Sequence, residues 1–160
     1  MLSRNYWSTL YRNIQEKKWL VFFVIFTTIL CFGFTITNFS VGVDDPARNY
    51  YLFTTNVGNM IQQGRLLHVL INKITHCVQF IPFFADFTGA VLFASSALLY
   101  GTFFQFIAKK EISLLGISTF CCVYISSSIV AEKYIYQLDV VVTMLSHCCS
   151  ALALMYAYCL

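Results

Sequence analysis

"LVFFVIFTTILCFGFTITNF", residues 20–39, contains no Lys, Arg, Asp or Glu. A helix of about 20 residues covers about 30 Å, the thickness of a bilayer's hydrocarbon core. The stretch is too long for the apolar part of a signal peptide, and no small-residue cleavage pattern follows it. It reads as a membrane span, and three more stretches share its character: "FTGAVLFASSALLYGTFFQFIA" (87–108), "ISLLGISTFCCVYISSSIVA" (112–131) and "VVVTMLSHCCSALALMYAYCL" (140–160). None of these carries a Lys, Arg, Asp or Glu either.

Composition agrees with that reading. Of 160 residues, 59% are hydrophobic and 11% charged, against about 25% charged in soluble domains. Mean hydropathy is +0.71. A soluble domain of this length buries only about 70% of its surface, so lipid has to cover much of the remainder. The expected fold class is an all-α polytopic membrane protein with four transmembrane helices. Its expected divisions are a cytoplasmic N-terminal tail (1–19) and a transmembrane domain (20–160) with an outer loop at 40–86. The net charge of +3 is small, and the basic residues gather at segment ends rather than in a stripe, so nucleic acid is not an expected partner.

Orientation follows from the enrichment of Lys and Arg in cytoplasmic loops. Arg4, Arg12, Lys17 and Lys18 precede the first span, and Lys109 and Lys110 join the second to the third. Those two regions share a side, which places the N-terminus in the cytoplasm. The 40–86 loop and the "EKYIYQLD" turn (132–139) then emerge on the outer face together. Asp44, Asp45, Glu132 and Asp139 are expected at that one rim.

The outer loop has its own pattern. In "VDDPAR" (43–48), Asp45 before Pro46 has the form of a helix cap followed by a proline at the first helical position. Tyr50, Phe53, Val57, Met60 and Ile61 follow at helical spacing. Beyond Gly64, a second stripe runs through Leu67, Leu70, Ile71, Ile74, Val78 and Ile81, and Pro82 is expected to end it. Two amphipathic helices lying in the interface satisfy both patterns. Capping needs one acid, so the second acid and Arg48 leave room for a charged, lipid-attached substrate; the two readings are compatible. "AEKYIYQLD" (131–139) is open in the same way, as a solvated hairpin loop or as part of a site.

Within the spans, Ala90, Ala94, Ala97 and Gly101 fall on one helical face and suit close packing. The serines of "YISSSIVA" can bond back to backbone carbonyls. His147 is the one strongly polar group deep in a span, either functional or a neutral imidazole bonded to a neighbouring helix. Six of the seven cysteines lie in apolar runs as small hydrophobes. With Cys77 alone in a polar stretch, neither a disulfide framework nor a structural zinc spacing is present.

Taken in order, these features resemble the bacterial O-antigen glucosyltransferases, the serotype-converting, phage-type family of GT-C class membrane glycosyltransferases. The carriers are the paired acids after the first span, "QQGR" at 62–65, and "YISSSIVAEKYIYQLDVVVTMLS" at 124–146. The family's later pattern of acid, tyrosine, aspartate and methionine falls on Glu132, Tyr136, Asp139 and Met144, and its glycine–arginine pair on Gly64 and Arg65. Leu66 departs from the tryptophan often found next. The resemblance covers roughly residues 10–155. Family members are longer, so the chain resembles an N-terminal portion.

The resemblance implies transfer of a glucosyl group from a polyprenyl-phosphate donor to an O-antigen acceptor on the periplasmic face of the inner membrane. Asp44 or Asp45 would be the catalytic base, with its neighbour orienting the acceptor or holding a divalent metal ion; no other cofactor is implied. Arg48 or Arg65 would pair with the donor phosphate, and Glu132 and Asp139 would bind sugar hydroxyls. The short length also admits a different class, a four-span non-enzymatic protein such as an accessory partner of a lipid-linked-sugar flippase or a complex subunit.

Overall fold

The structure is a computed structural model of the chain and describes residues 2–38, 61–62, 64–74, 82–108, 112–133 and 137–159. Among the described residues every regular element is an α-helix: α1 (Leu2–Glu16), α2 (Lys18–Thr37), α3 (Leu66–Ile74), α4 (Pro82–Ala108), α5 (Leu114–Ile125), α6 (Ser128–Lys133) and α7 (Gln137–Cys159). Three of them are long and apolar enough to cross a membrane: α2, α4 from Phe83, and α7 from Val140.

The third expected span differs from its reading. Instead of one helix over 112–131, the chain forms α5 and α6 with a break at Ser126–Ser127, and its apolar helical run, Leu114–Val130, is shorter than the other three. The reason is local. Ser127 N–H bonds Tyr124 O at 3.4 Å, and Ser126 Oγ bonds back to Val123 O at 3.2 Å. These short-range bonds draw the backbone out of the α-helical ladder. Val130 N–H then bonds Ser127 O at 3.1 Å as the next helix starts.

The N-terminal region, read as a cytoplasmic tail over 1–19, is helical where it is described. It folds into α1, hinged to α2 at the non-helical Lys17 (φ −100°, ψ 58°). The start of α4 moves too: Pro82, expected to end the preceding helix, stands at the first position of α4, where its missing N–H is harmless. The helix therefore starts five residues before the expected span start at Phe87 and takes in Asp86.

The register of the bundle follows from its contacts. Ala85 packs with Val141, Cys148 Sγ–H points to Leu92 O at 3.1 Å, and Phe103 meets Tyr158 edge-on at 6.3 Å. Both numbers rise together, so α4 and α7 run parallel. Phe104 meets Phe120, and Cys121 Sγ lies 3.5 Å from Ala97 O, so α5 runs antiparallel to α4. It carries the chain back along the bundle between the two. The α2 helix packs beside α4 and α5, with Phe32 against Phe93 and Thr27 Oγ1 3.2 Å from Cys122 Sγ.

The centre of the bundle is the layer of Leu20, Val24, Phe32, Phe93, Ile117, Cys121, Ile125 and Met144. The small-residue face of α4 lies within it, with Ala90 and Ala97 buried. A Cβ on Gly101 would stand 3.3 Å from both Cys121 Sγ and Ile117 Cγ2, so glycine is what lets α5 approach there. Phe22, Phe26, Ile29, Leu30 and Phe34 line the outside of α2, an apolar surface that only lipid or another membrane helix can cover.

Candidate functional site

The helix ends determine which predicted residues share a side. α2 runs antiparallel to α4, so its Thr37 end, the Pro82 end of α4 and the Gln137 start of α7 lie at one end of the bundle. Asp139 occupies the first turn of α7, and Glu132 lies in α6, which packs against α7 at the same end. Asp44, Asp45 and Arg48 lie outside the described residues, as does the capping reading of Asp45–Pro46.

Arg65 is described. Gly64 adopts φ +76°, a left-handed conformation open to glycine at little cost, and its N–H closes a turn on Ile61 O at 2.9 Å. Arg65 follows, exposed, and its carbonyl accepts from Val69 N–H at 3.2 Å as α3 begins. The glycine–arginine pair is therefore a turn and a helix start that hold a guanidinium in the open. Along α3, Leu67, Leu70 and Ile74 are exposed, while His68, Val69 and Ile71 are half-buried. The helix packs against α7 and leaves Leu67, Leu70 and Ile74 exposed on its other side.

One carboxylate at this end was not singled out by sequence reading. Asp86 is 1% exposed, one residue from Ala85 of the Ala85–Val141 contact. A carboxylate in a membrane helix is costly, which makes Asp86 a candidate for the site. The signal was present in "PFFADFTGA" (82–90), where Pro82 is a natural first helical residue. Requiring spans to be free of charge moved the boundary past it.

Deeper in the bundle, His147 has a partner. Its Nδ1 is 2.9 Å from Tyr124 Oη, which in turn is 3.3 Å from Ser96 Oγ. The donor in the Tyr124–His147 bond is set by which imidazole nitrogen carries the proton. Phe93 stacks on Tyr124 at 5.0 Å and meets His147 edge-on at 5.6 Å. These groups tie α4, α5 and α7 together, which favours the neighbour-bonded reading of His147. Beside them, where α5 gives way to α6, a groove of about 460 Å³ is walled by Phe120, Val123, Ile129 and Val130, with Tyr124, Ser127 and His147 as its polar groups.

Among the described residues no three His, Cys, Asp or Glu side chains stand close enough to hold a metal ion. The six described cysteines are free thiols.

A helical protein with three helices long and apolar enough to cross a membrane, with Asp86, Glu132 and Asp139 at one end of the bundle and Arg65 exposed on a glycine turn, is the class these features define. Residues 33–157 match the family model described as glucosyl transferase GtrII, and the chain belongs to that family. No curated protein and no solved structure matches it significantly.

Proposed function

We propose that the protein acts in glucosyl transfer from a polyprenyl-phosphate donor to an O-antigen sugar at the periplasmic face of the bacterial inner membrane. The match over residues 33–157 carries this reading. A lipid-linked donor accounts for the architecture: its tail stays in lipid while its phosphosugar head reaches the water-facing rim. The apolar groove at the α5–α6 break fits a hydrocarbon tail. A soluble enzyme would instead have to extract the tail, at about 0.8 kcal/mol per exposed CH₂.

In the proposed reaction the bond between the anomeric carbon and the donor phosphate oxygen breaks, and a bond from the acceptor hydroxyl oxygen to that carbon forms. The acceptor's proton goes to a carboxylate, and polyprenyl phosphate leaves already ionised. Asp44 or Asp45 is the base, general-base catalysis contributing roughly 10²–10⁴-fold. Arg48 and Arg65 pair with the donor phosphate, since guanidinium forks match phosphate oxygens. Glu132 and Asp139 bind sugar hydroxyls, joined by Asp86. GT-C architecture with four crossings fits the parallel run of α4 and α7, because the chain between them must return through the bundle's height. The basic residues near α1 and in the α4–α5 connection support a cytoplasmic N-terminus.

The test is glucose transfer from polyprenyl-phosphate-glucose by the full chain in detergent, alongside O-antigen modification in cells. Asp44→Asn and Asp45→Asn are compared singly with the parent. Loss of transfer in one of them supports the assignment, and full transfer by both rejects it.

A further inference from the structure

We propose that α1 is an interfacial helix that crosses the foot of the bundle in the membrane plane and inserts its Trp7–Tyr11–Ile14 stripe into the adjoining leaflet. The family match begins at residue 33, so α1 is not accounted for by it. The geometry comes from two buried side chains. Tyr6, 0% exposed, donates its hydroxyl to Leu99 O at 3.0 Å and packs with Phe103, Phe106 and Met155. Asn13, 1% exposed, donates from Nδ2 to Gln105 Oε1 at 2.8 Å and Thr102 Oγ1 at 3.3 Å. Seven residues of helix advance about 10 Å, yet Tyr6 reaches both Leu99 and Phe106 of α4, and the partners of Asn13, Thr102 and Gln105, fall between those two. A helix running along α4 would have moved down it, so α1 runs across.

A helix lying across a bundle has one face on the protein and two flanks, one toward lipid and one toward water. The sequence of α1 fits all three. Tyr6 and Asn13 lie on the protein face, with Thr9 and Leu10 half-buried beside them. At 100° per residue, Trp7, Tyr11 and Ile14 form one flank about a quarter-turn away, 43%, 62% and 44% exposed. Ser8, Arg12 and Gln15 lie on the side turned away from the protein, about 120–180° from Tyr6, all exposed. The aromatic flank continues into the exposed Trp19, Phe22 and Phe26 of α2, a surface that belongs to lipid. Tryptophan and tyrosine favour the headgroup boundary, and Arg12, Lys17 and Lys18 at this end complement an anionic leaflet. The occupant is therefore the bilayer itself.

The test uses tryptophan fluorescence, since Trp7 and Trp19 are the chain's two tryptophans. Trp19→Phe leaves Trp7 as the probe, and Trp7→Phe leaves Trp19 as the depth reference on a span. Each full chain is reconstituted in phosphatidylcholine vesicles, with and without phosphatidylglycerol, and quenched by lipids brominated along the acyl chain or by aqueous acrylamide. Trp7 is expected to be quenched most by bromines nearest the headgroup, with acrylamide quenching roughly threefold below that of the denatured chain, as burial of an apolar face in the interface requires. Phosphatidylglycerol should lower the acrylamide quenching further. Acrylamide quenching equal to that of the denatured chain, without bromine quenching, would overturn the proposal. So would protection that disappears when the protein is diluted in lipid, the result expected if a second copy covered the stripe.

Discussion

Tyr124 Oη and His147 Nδ1 are 2.9 Å apart, on helices α5 and α7, in a layer otherwise built of aromatic rings. A polar pair in that setting fixes how two helices meet, because without Tyr124 the His147 Nδ1 loses this partner, whereas Tyr124 without His147 keeps Ser96 Oγ. Tyr124→Phe therefore removes the hydroxyl while keeping the ring, and is expected to destabilise the bundle by about 1–3 kcal/mol. His147→Phe should cost less at the hydrogen bond, because Tyr124 Oη keeps Ser96 Oγ. The double variant should cost less than the sum of the two, since the groups act as a unit. Reversible unfolding in mixed detergent measures all three; strictly additive losses would show that the pair is not coupled.

The approach of α5 to α4 at Gly101 gives a second expectation. A methyl there meets Cys121 Sγ and Ile117 Cγ2, both at 3.3 Å, so either the side chains yield or the helices separate. Gly101→Ala is expected to be mildly destabilising and Gly101→Leu to cost about 1–3 kcal/mol or more, as overpacking does. Cys121→Ala should partly rescue Gly101→Ala by removing one of the two contacts. Thermal unfolding in detergent reads the series.

What was legible in the sequence was what lipid imposes. The spans at 20–39, 87–108 and 140–160 stand out because hydrocarbon tolerates no charge and fixes a minimum length, and α2, α4 and α7 lie there within a few residues. The break at Ser126–Ser127 was not legible, because serine lowers hydropathy only a little while its hydroxyl offers the backbone a local alternative. Asp86 was passed over for the opposite reason, since one charge outweighed Pro82 as a boundary marker. Helix α1 escaped notice because its buried face is Tyr6 and Asn13, a polar pair whose value appears only when Leu99, Thr102 and Gln105 are brought opposite. Arg65 and Asp139 were singled out by motif, but a binding role for either depends on neighbours that one sequence does not name.

Asp86 allows a sharper test of the proposed site. If it binds sugar beside Asp139, Asp86→Asn keeps shape and hydrogen bonding but removes the charge. Transfer is expected to fall by roughly 10–100-fold, as for loss of a charged hydrogen-bonding group at 1.4 kcal/mol per tenfold. Stability should hold or rise, because a buried charge has been removed. Unchanged transfer, measured with the same polyprenyl-phosphate-glucose assay, would remove Asp86 from the site and leave it as a structural residue.

The docking of α1 carries its own pH dependence. Burial pushes the Tyr6 phenol from 10.0 up to about 12, because the ionised form would lose water and repel Leu99 O. The undocked helix gives up this proton near pH 10, while the docked one keeps it to about 12. Docking therefore holds its full strength below pH 10 and weakens between about 10 and 12, by at most about 1.4 kcal/mol per pH unit. Trp7, next to Tyr6 with ring centroids 5.5 Å apart, reports the release: its acrylamide quenching should rise across that window in the Trp19→Phe chain. Adding Tyr6→Phe should abolish the pH step and weaken docking at neutral pH by about 0.5–1.5 kcal/mol, the net worth of the lost hydrogen bond. A rise of the same size with Tyr6→Phe in place would mean that another group controls the release, and that Tyr6 is not what holds α1 to the bundle.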